Sequence, residues 1–249
     1  MSNSPLVSYT KLSPNHSGQR THAVDRITPH CVVGQCSVET LGNIFAPTSR
    51  QASCQYGIGV DGRVGMYVEE KNRSWCSSSN ANDQRAITIE CASDATHPYA
   101  FNDTVYAKLI ELCTDICKRY GKTKLLWFGD KTKTLNYEPA SNEMVLTVHR
   151  WFANKSCPGD WMYARMGDLA SKVTANLGGS TGGTEKPADN QVLYRVQTGA
   201  FSNKANADAM LQKVKAAGFD TYMVKVDNLY KIQVGAFSKK ANADVMAAK

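Results

Sequence analysis

Apolar and polar positions follow several distinct rhythms along this chain, and each rhythm predicts an element. RITPHCVVG, from Arg26, is an almost unbroken apolar run and reads as a buried strand. AITIECAS, from Ala86, reads the same way, and KLLWFGD, from Lys124, is strand-like. SCQYGIGVDGRVGMYV, from Ser53, reads as a hairpin that turns at Asp61–Gly62. DTVYAKLIELCTDICKRYG has the period of a helix and ends at Gly121. EMVLTVHRWF is an apolar run of ambiguous type that delivers His149, and GDWMYARMGDLASKVTANLGG reads as a closing helix. Strands and helices interleave, so the expected class is α/β, a central mixed β-sheet flanked by helices.

The rhythm stops at GGSTGGTEKPADN, where Gly, Ser, Thr and Pro leave no apolar anchor. This reads as a flexible linker over 178–190, dividing a domain over 1–177 from a tail over 191–249. The tail repeats itself: VQTGAFSNKANADAM from Val196 returns as IQVGAFSKKANADVM from Ile232, thirty-six residues on. Each copy is a strand leading into a helix, with Ser202 or Ser238 as the expected cap. DTYMVKV between them alternates like a strand, which gives a small β-α-β-β-α domain. A fourth strand would complete a split β-α-β sheet, but the chain stops at Lys249 inside the second helix, so either the domain is cut short there or something else covers that edge.

Composition adjusts this picture. The chain has 249 residues, room for one sizeable domain and one small one, and no apolar run approaches the ~20 residues of a membrane span. The first residues lack a basic start followed by an apolar stretch, so synthesis and folding in the cytosol are expected. The net charge of +7 is spread out, with a surplus of five in the tail; it favours an anionic polymer or surface without specifying nucleic acid. The eight cysteines lie within apolar segments and read as buried reduced thiols, Cys113 and Cys117 sharing one helix face. With no CxxC pair, a zinc ribbon is not expected.

Five histidines are candidates for chemistry. His16, His22 and His97 lie in polar, loop-like surroundings and read as surface residues. His30 sits within an apolar strand, and His149 ends an apolar run eight residues before Cys157. Two histidines and a thiol fit a His₂Cys zinc site whose fourth position is left for water, the catalytic pattern. The spacing alone is not a motif. Glu90 is anomalous within AITIECAS: it is either a solvent-facing edge residue or a base at fixed geometry, able to take a proton from zinc-activated water. Lys155, two residues before Cys157, is either an ordinary surface lysine or the cation that stabilises an oxyanion.

Taken in order, SPNHSGQRTHAVDRITPHCVVGQCS, SCQYGIGVDGRVGMYVEEKNRSWCSSSNAND, AITIECAS and VHRWFANKSCPGDWM resemble the zinc amidase-2 type of N-acetylmuramoyl-L-alanine amidase, in particular phage and prophage endolysins. The resemblance runs from about Tyr9 to Asn176. It implies His30, His149 and Cys157 as zinc ligands, Glu90 as the base and Lys155 as the oxyanion partner. Some relatives place a catalytic tyrosine in the hairpin; the comparable position here is Cys54, which leaves that role to Glu90. Trp75 falls at a position that either lines the substrate groove or packs in the core. The implied reaction is hydrolysis of the amide between N-acetylmuramic acid and L-alanine. QTGAFSNKANAD and QVGAFSKKANAD resemble the SPOR domain, which implies binding to glycan strands. Peptidoglycan is thus the expected partner of both domains, with action at the cell wall.

Two other readings belong beside this one. A non-catalytic recognition module on the same fold is disfavoured by Cys157, a ligand that binding-only relatives often lack. A cysteine peptidase needs a nucleophile context that no cysteine here has. The tail does not read as RNA-binding, because Phe201 and Phe237 stand at strand ends rather than as a paired stacking platform.

Overall fold

A computed structural model describes residues 3–178, 194–217, 219, 221–226, 228–237 and 240–248. Two compact units emerge, Met1–Thr184 and Glu185–Lys249. Apart from Gly178, the expected linker lies outside the described residues.

The first unit contains, in order, β1 (Val7–Thr10), β2 (His16–Gln19), β3 (Arg26–Cys31), α1 (Val38–Phe45), β4 (Tyr56–Ile58), β5 (Val64–Met66), β6 (Asn72–Ser74), α2 (Asn80–Arg85), β7 (Ala86–Cys91), α3 (Asp103–Arg119), β8 (Lys124–Leu126), α4 (Lys131–Asn136), β9 (Glu143–Leu146), α5 (Asp160–Tyr163) and α6 (Met166–Asn176). Seven strands form one sheet in the order β1-β5-β4-β7-β3-β9-β8. Only the β4–β5 hairpin is antiparallel; the other pairings are parallel, so the sheet is mixed. β2 and β6 form a separate two-stranded sheet, which places His16 in a strand rather than a loop.

β3 and β7 are central and covered on both faces, which is why they read as near-continuous apolar runs. The alternation of side chains is still decisive. Ile27, Cys31, Ile87, Ile89 and Cys91 enter the main core with Leu109, Leu112 and Ile116 of α3 and Leu169 and Val173 of α6. Thr28, His30, Thr88 and Glu90 therefore share the opposite face. There, Leu41 and Phe45 of α1 build a smaller core with Cys54 and Tyr67.

α3 is held at both ends. The Asn102 side chain accepts from the Val105 N–H at 2.8 Å, Lys118 and Arg119 oppose the C-terminal dipole, and Gly121 takes the left-handed conformation at φ +66°. The expected closing helix is two pieces, α5 and α6, parted at Ala164–Arg165. The Arg165 carbonyl accepts from the Tyr106 hydroxyl at 3.4 Å, so the kink is braced against α3. Its apolar rhythm continues across the break because both pieces pack on the same core, which made it read as one helix.

The second unit contains β10 (Tyr194–Phe201), α7 (Lys204–Ala216), β11 (Tyr222–Val226), β12 (Leu229–Phe237) and α8 (Lys240–Ala247). Its antiparallel sheet runs β10-β12-β11. The two repeats bury the same alanine, Ala207 in α7 and Ala243 in α8. α7 is capped by Asn203, whose side chain accepts from the Ala205 N–H at 2.8 Å, and not by Ser202. Asn and Ser cap equally well, so propensity could not choose between neighbours. Ser238 lies outside the described residues. Among the described residues, no helix is long and apolar enough to cross a membrane.

Candidate metal centre

The parallel register of β3 and β7 sets His30 directly beside Glu90. Leu146 pairs with Ile27, after which Thr147 and Val148 carry the chain out of β9 and a 3₁₀ turn begins at His149. The chain then loops back: the Arg150 N–H donates to the Cys157 carbonyl at 3.1 Å. This clasp brings Cys157 Sγ to 3.2 Å from His30 Nδ1, across 127 residues of sequence. Gly159 makes the exit possible. Its φ is +84°, and a Cβ there would lie 2.8 Å from the Pro98 carbonyl oxygen.

One ligand atom each from His30, His149 and Cys157 falls within 4.8 Å of the others. Zinc bonds of about 2.3 Å to sulfur and about 2.0 Å to nitrogen place tetrahedral neighbours about 3.5 Å apart. The Sγ–Nδ1 separation is close to that value, so the donors fit one ion. The electrostatics agree. Burial, and then the neighbouring His149, hold the His30 imidazole well below the ordinary value of 6.5. Burial, and then Lys155, lower His149 as well. Both rings are therefore neutral, which is the ligand form. Burial pushes the metal-free Cys157 thiol well above its ordinary range; a cation would supply the charge that makes it a thiolate.

Glu90 lies on the same side. Its Oε1 is 4.0 Å from His30 Nδ1, and because that ring is neutral the contact is not an ion pair. Burial pushes the Glu90 carboxyl up to about 7, with Arg50 and the Cys76 thiol opposing. Cys76 Sγ donates to Glu90 Oε1 at 3.9 Å. Glu90 Oε2 and His30 Nε2 are both buried without a hydrogen-bond partner, a costly arrangement that a further ligand or water would relieve.

A groove of about 560 Å³ opens over this centre, and Lys155, Trp75, Arg50, Glu90 and His149 all line it. Lys155 is exposed at its edge. The Trp75 indole N–H donates to Ser17 Oγ at 2.7 Å, which holds the ring as a wall. Cys54 is fully buried in the smaller core instead.

A buried polar network ties the groove wall to the strands. Asn82 Nδ2 donates to Thr28 Oγ1 at 3.1 Å and to Ser77 Oγ at 3.2 Å, while Thr147 Oγ1 donates to Asn82 Oδ1 at 3.0 Å. Asp83 accepts from the N–H groups of Cys76 and Ser77, each at 3.1 Å. Thr28 on β3, Thr147 leaving β9 and the Cys76–Ser78 loop are thus one unit. Ser78, with φ +61°, lies 3.0 Å from His149 Nε2 through its hydroxyl. Sequence reasoning missed Ser78, Cys76 and Arg50. Adjacency to Trp75 was a signal for Cys76; nothing marked the other two.

Residues 19–160 match the family model described as N-acetylmuramoyl-L-alanine amidase, more than half of the chain. The chain belongs to that family. It is a peptidoglycan hydrolase, and its family generally depends on zinc. Residues 190–249 of the amidase match the SPOR domain, which binds peptidoglycan. No curated protein matches the chain. Among solved structures, PlyL is similar at 15% identity and a TM-score of 0.47, over 66% of this chain and 95% of that one. The N-acetylmuramoyl-L-alanine amidase LysC from Clostridium intestinale is 16% identical with a TM-score of 0.44, over 70% of this chain and 96% of that one. The peptidoglycan binding domain of the B. subtilis cell wall lytic enzyme CwlC is 55% identical over 22% of this chain and 71% of that one, with a TM-score of 0.21.

Proposed function

We propose that His30, His149 and Cys157 hold a zinc ion, and that Glu90 and Lys155 carry out the amide hydrolysis beside it. The observation that carries this reading is the convergence of an imidazole from a central strand with an imidazole and a thiol from one loop. When bound, zinc would supply a Lewis acid that makes water a nucleophile near neutral pH.

The chain's own residues do the rest. Glu90, poised near 7 with Oε2 free, accepts the proton of the attacking water and returns it to the departing L-alanine nitrogen. The Lys155 ammonium, at the groove edge, neutralises charge growing on the lactyl carbonyl oxygen. Trp75 offers a flat wall for the muramoyl-peptide. Residues 1–177 are the catalytic domain, and 191–249, joined by the 178–190 tether, hold glycan strands near it. Catalysis and anchoring then act on one polymer, raising the local concentration of substrate.

The test is to strip metal with a strong chelator and restore zinc, following new L-alanine amino termini released from sacculi by mass spectrometry. The expected result is loss on chelation and recovery on zinc addition. Release that persists under chelation contradicts the reading.

A further inference from the structure

The ligand-capable side chains around His30 form two trios rather than one. The first is His30, His149 and Cys157; the second is His30, Cys76 and Glu90, whose donor atoms also lie within 4.8 Å of one another. The first takes two members from the loop that follows β9. The second takes its two from β7 and from the loop between β6 and α2. His30 Nδ1 faces both, at 3.2 Å from Cys157 Sγ and 4.0 Å from Glu90 Oε1. A single nitrogen lone pair cannot serve two ions, so the two trios exclude one another.

We propose that His30, Cys76 and Glu90 form a second seat for a thiophilic divalent cation, zinc or cadmium, which takes the ion when the first seat is broken. The geometry allows it. Cys76 Sγ and Glu90 Oε1 are 3.9 Å apart and His30 Nδ1 and Glu90 Oε1 4.0 Å apart, so an inward swing of the Glu90 carboxylate by about 0.7 Å brings the three donors onto one tetrahedral ion with bonds of about 2.3 Å to sulfur and about 2.0 Å to nitrogen and oxygen. Glu90 Oε2 is buried and has no hydrogen-bond partner, so the carboxylate has an uncommitted oxygen at that point. The Cys76 backbone is held by Asp83, through the 3.1 Å bond to its N–H, so the loop that carries the thiol is held in place before any ion arrives. A nitrogen, a sulfur and an oxygen with one position open suit zinc, and the thiolate favours cadmium further. Binding displaces the Cys76 thiol proton to solvent, leaving Cys76 as thiolate.

The consequence bears on function. In the second seat Glu90 is a ligand and no longer a free base, so the protein holds metal and is inactive. The inference rests on the zinc reading above for its shared ligand, His30, and the experiment separates the two.

Purified full-length protein, stripped of metal, is titrated with cadmium while the sulfur-to-cadmium charge-transfer absorption and the bound stoichiometry are followed. Wild type and Cys76→Ser are each expected to bind one ion with one thiolate. Loss of the band in Cys76→Ser overturns the zinc reading instead. Cys157→Ser is expected to keep one ion and one thiolate, and the double variant Cys157→Ser/Cys76→Ser to lose both. Loss of the band in Cys157→Ser alone, or its survival in the double variant, overturns the proposal. Should Cys157→Ser not fold by circular dichroism, His149→Ala replaces it, with alkylation read by peptide mass spectrometry. Cadmium is then expected to protect Cys76, and protection confined to Cys157 overturns the proposal.

Discussion

The two halves of the centre are built by different means. His30 and Glu90 stand on neighbouring central strands, and their relative position follows from a parallel register shared over six residue pairs. His149, Lys155 and Cys157 stand on a loop, and their position depends on a backbone clasp, a positive-φ glycine and the Ser78 contact. A side chain on a buried strand is oriented by the whole sheet. One on a loop is oriented by a few bonds that a single substitution can remove. The strand half therefore places the base rigidly, while the loop half sets metal geometry and can fail without unfolding the domain.

Four substitutions or conditions probe that contrast. The largest effect is expected at Glu90→Gln, which keeps size and fold but removes the base: kcat falls by about 10²–10⁴ with zinc content unchanged. A parallel loss of zinc would mean that Glu90 acts on the metal rather than on the water. Lys155→Ala comes next, lowering kcat by about 10²–10³ with KM little changed, measured on soluble muramoyl-peptide. A change in KM alone would make Lys155 a binding residue.

Gly159→Ala tests the loop half by strain alone. The left-handed φ and the clash with Pro98 should cost about 1–3 kcal/mol, read as a lower urea midpoint, and zinc affinity should fall with it. Unchanged affinity would show that Cys157 is held without this turn.

The smallest effect is the pH dependence of the metal-free protein. His30 and His149 are both depressed below 6.5 by burial. Such groups contribute stability that is present above 6.5 and lost as pH falls toward their depressed folded values. In Glu90→Gln, which removes the opposing gain on acidification from a carboxyl raised to about 7, the urea midpoint should therefore fall between about pH 7 and about pH 5. His30→Gln should flatten that fall more than His149→Gln, because His30 is the more deeply buried of the pair. Equal flattening would erase the distinction between strand and loop.

The same contrast explains what could be read from the sequence. His30 and Glu90 were conspicuous because each interrupts an apolar strand, and polar residues there need a reason. The apolar and helical rhythms likewise announced β3, β7, the β4–β5 hairpin and α3. The closeness of His30 to Cys157 is invisible in a spacing of 127 residues, since it depends on where β9 lies in the sheet and how its loop returns. Residue types suggested a His₂Cys site, and the resemblance implied which three residues form it. Ser78 and Arg50 reach the groove through local geometry with no periodicity, so no pattern marked them, and Cys76 was marked only by its place beside Trp75. The Asn203 cap turns on one hydrogen bond, below what residue preference can resolve, and the apolar rhythm runs unbroken through the break at Ala164–Arg165.

Zinc-edge X-ray absorption of the zinc-loaded full chain tests the central claim most directly. One sulfur at about 2.3 Å and two imidazole nitrogens at about 2.0 Å, completed by a light-atom ligand, are expected. A shell without sulfur, or one without imidazole, would contradict it.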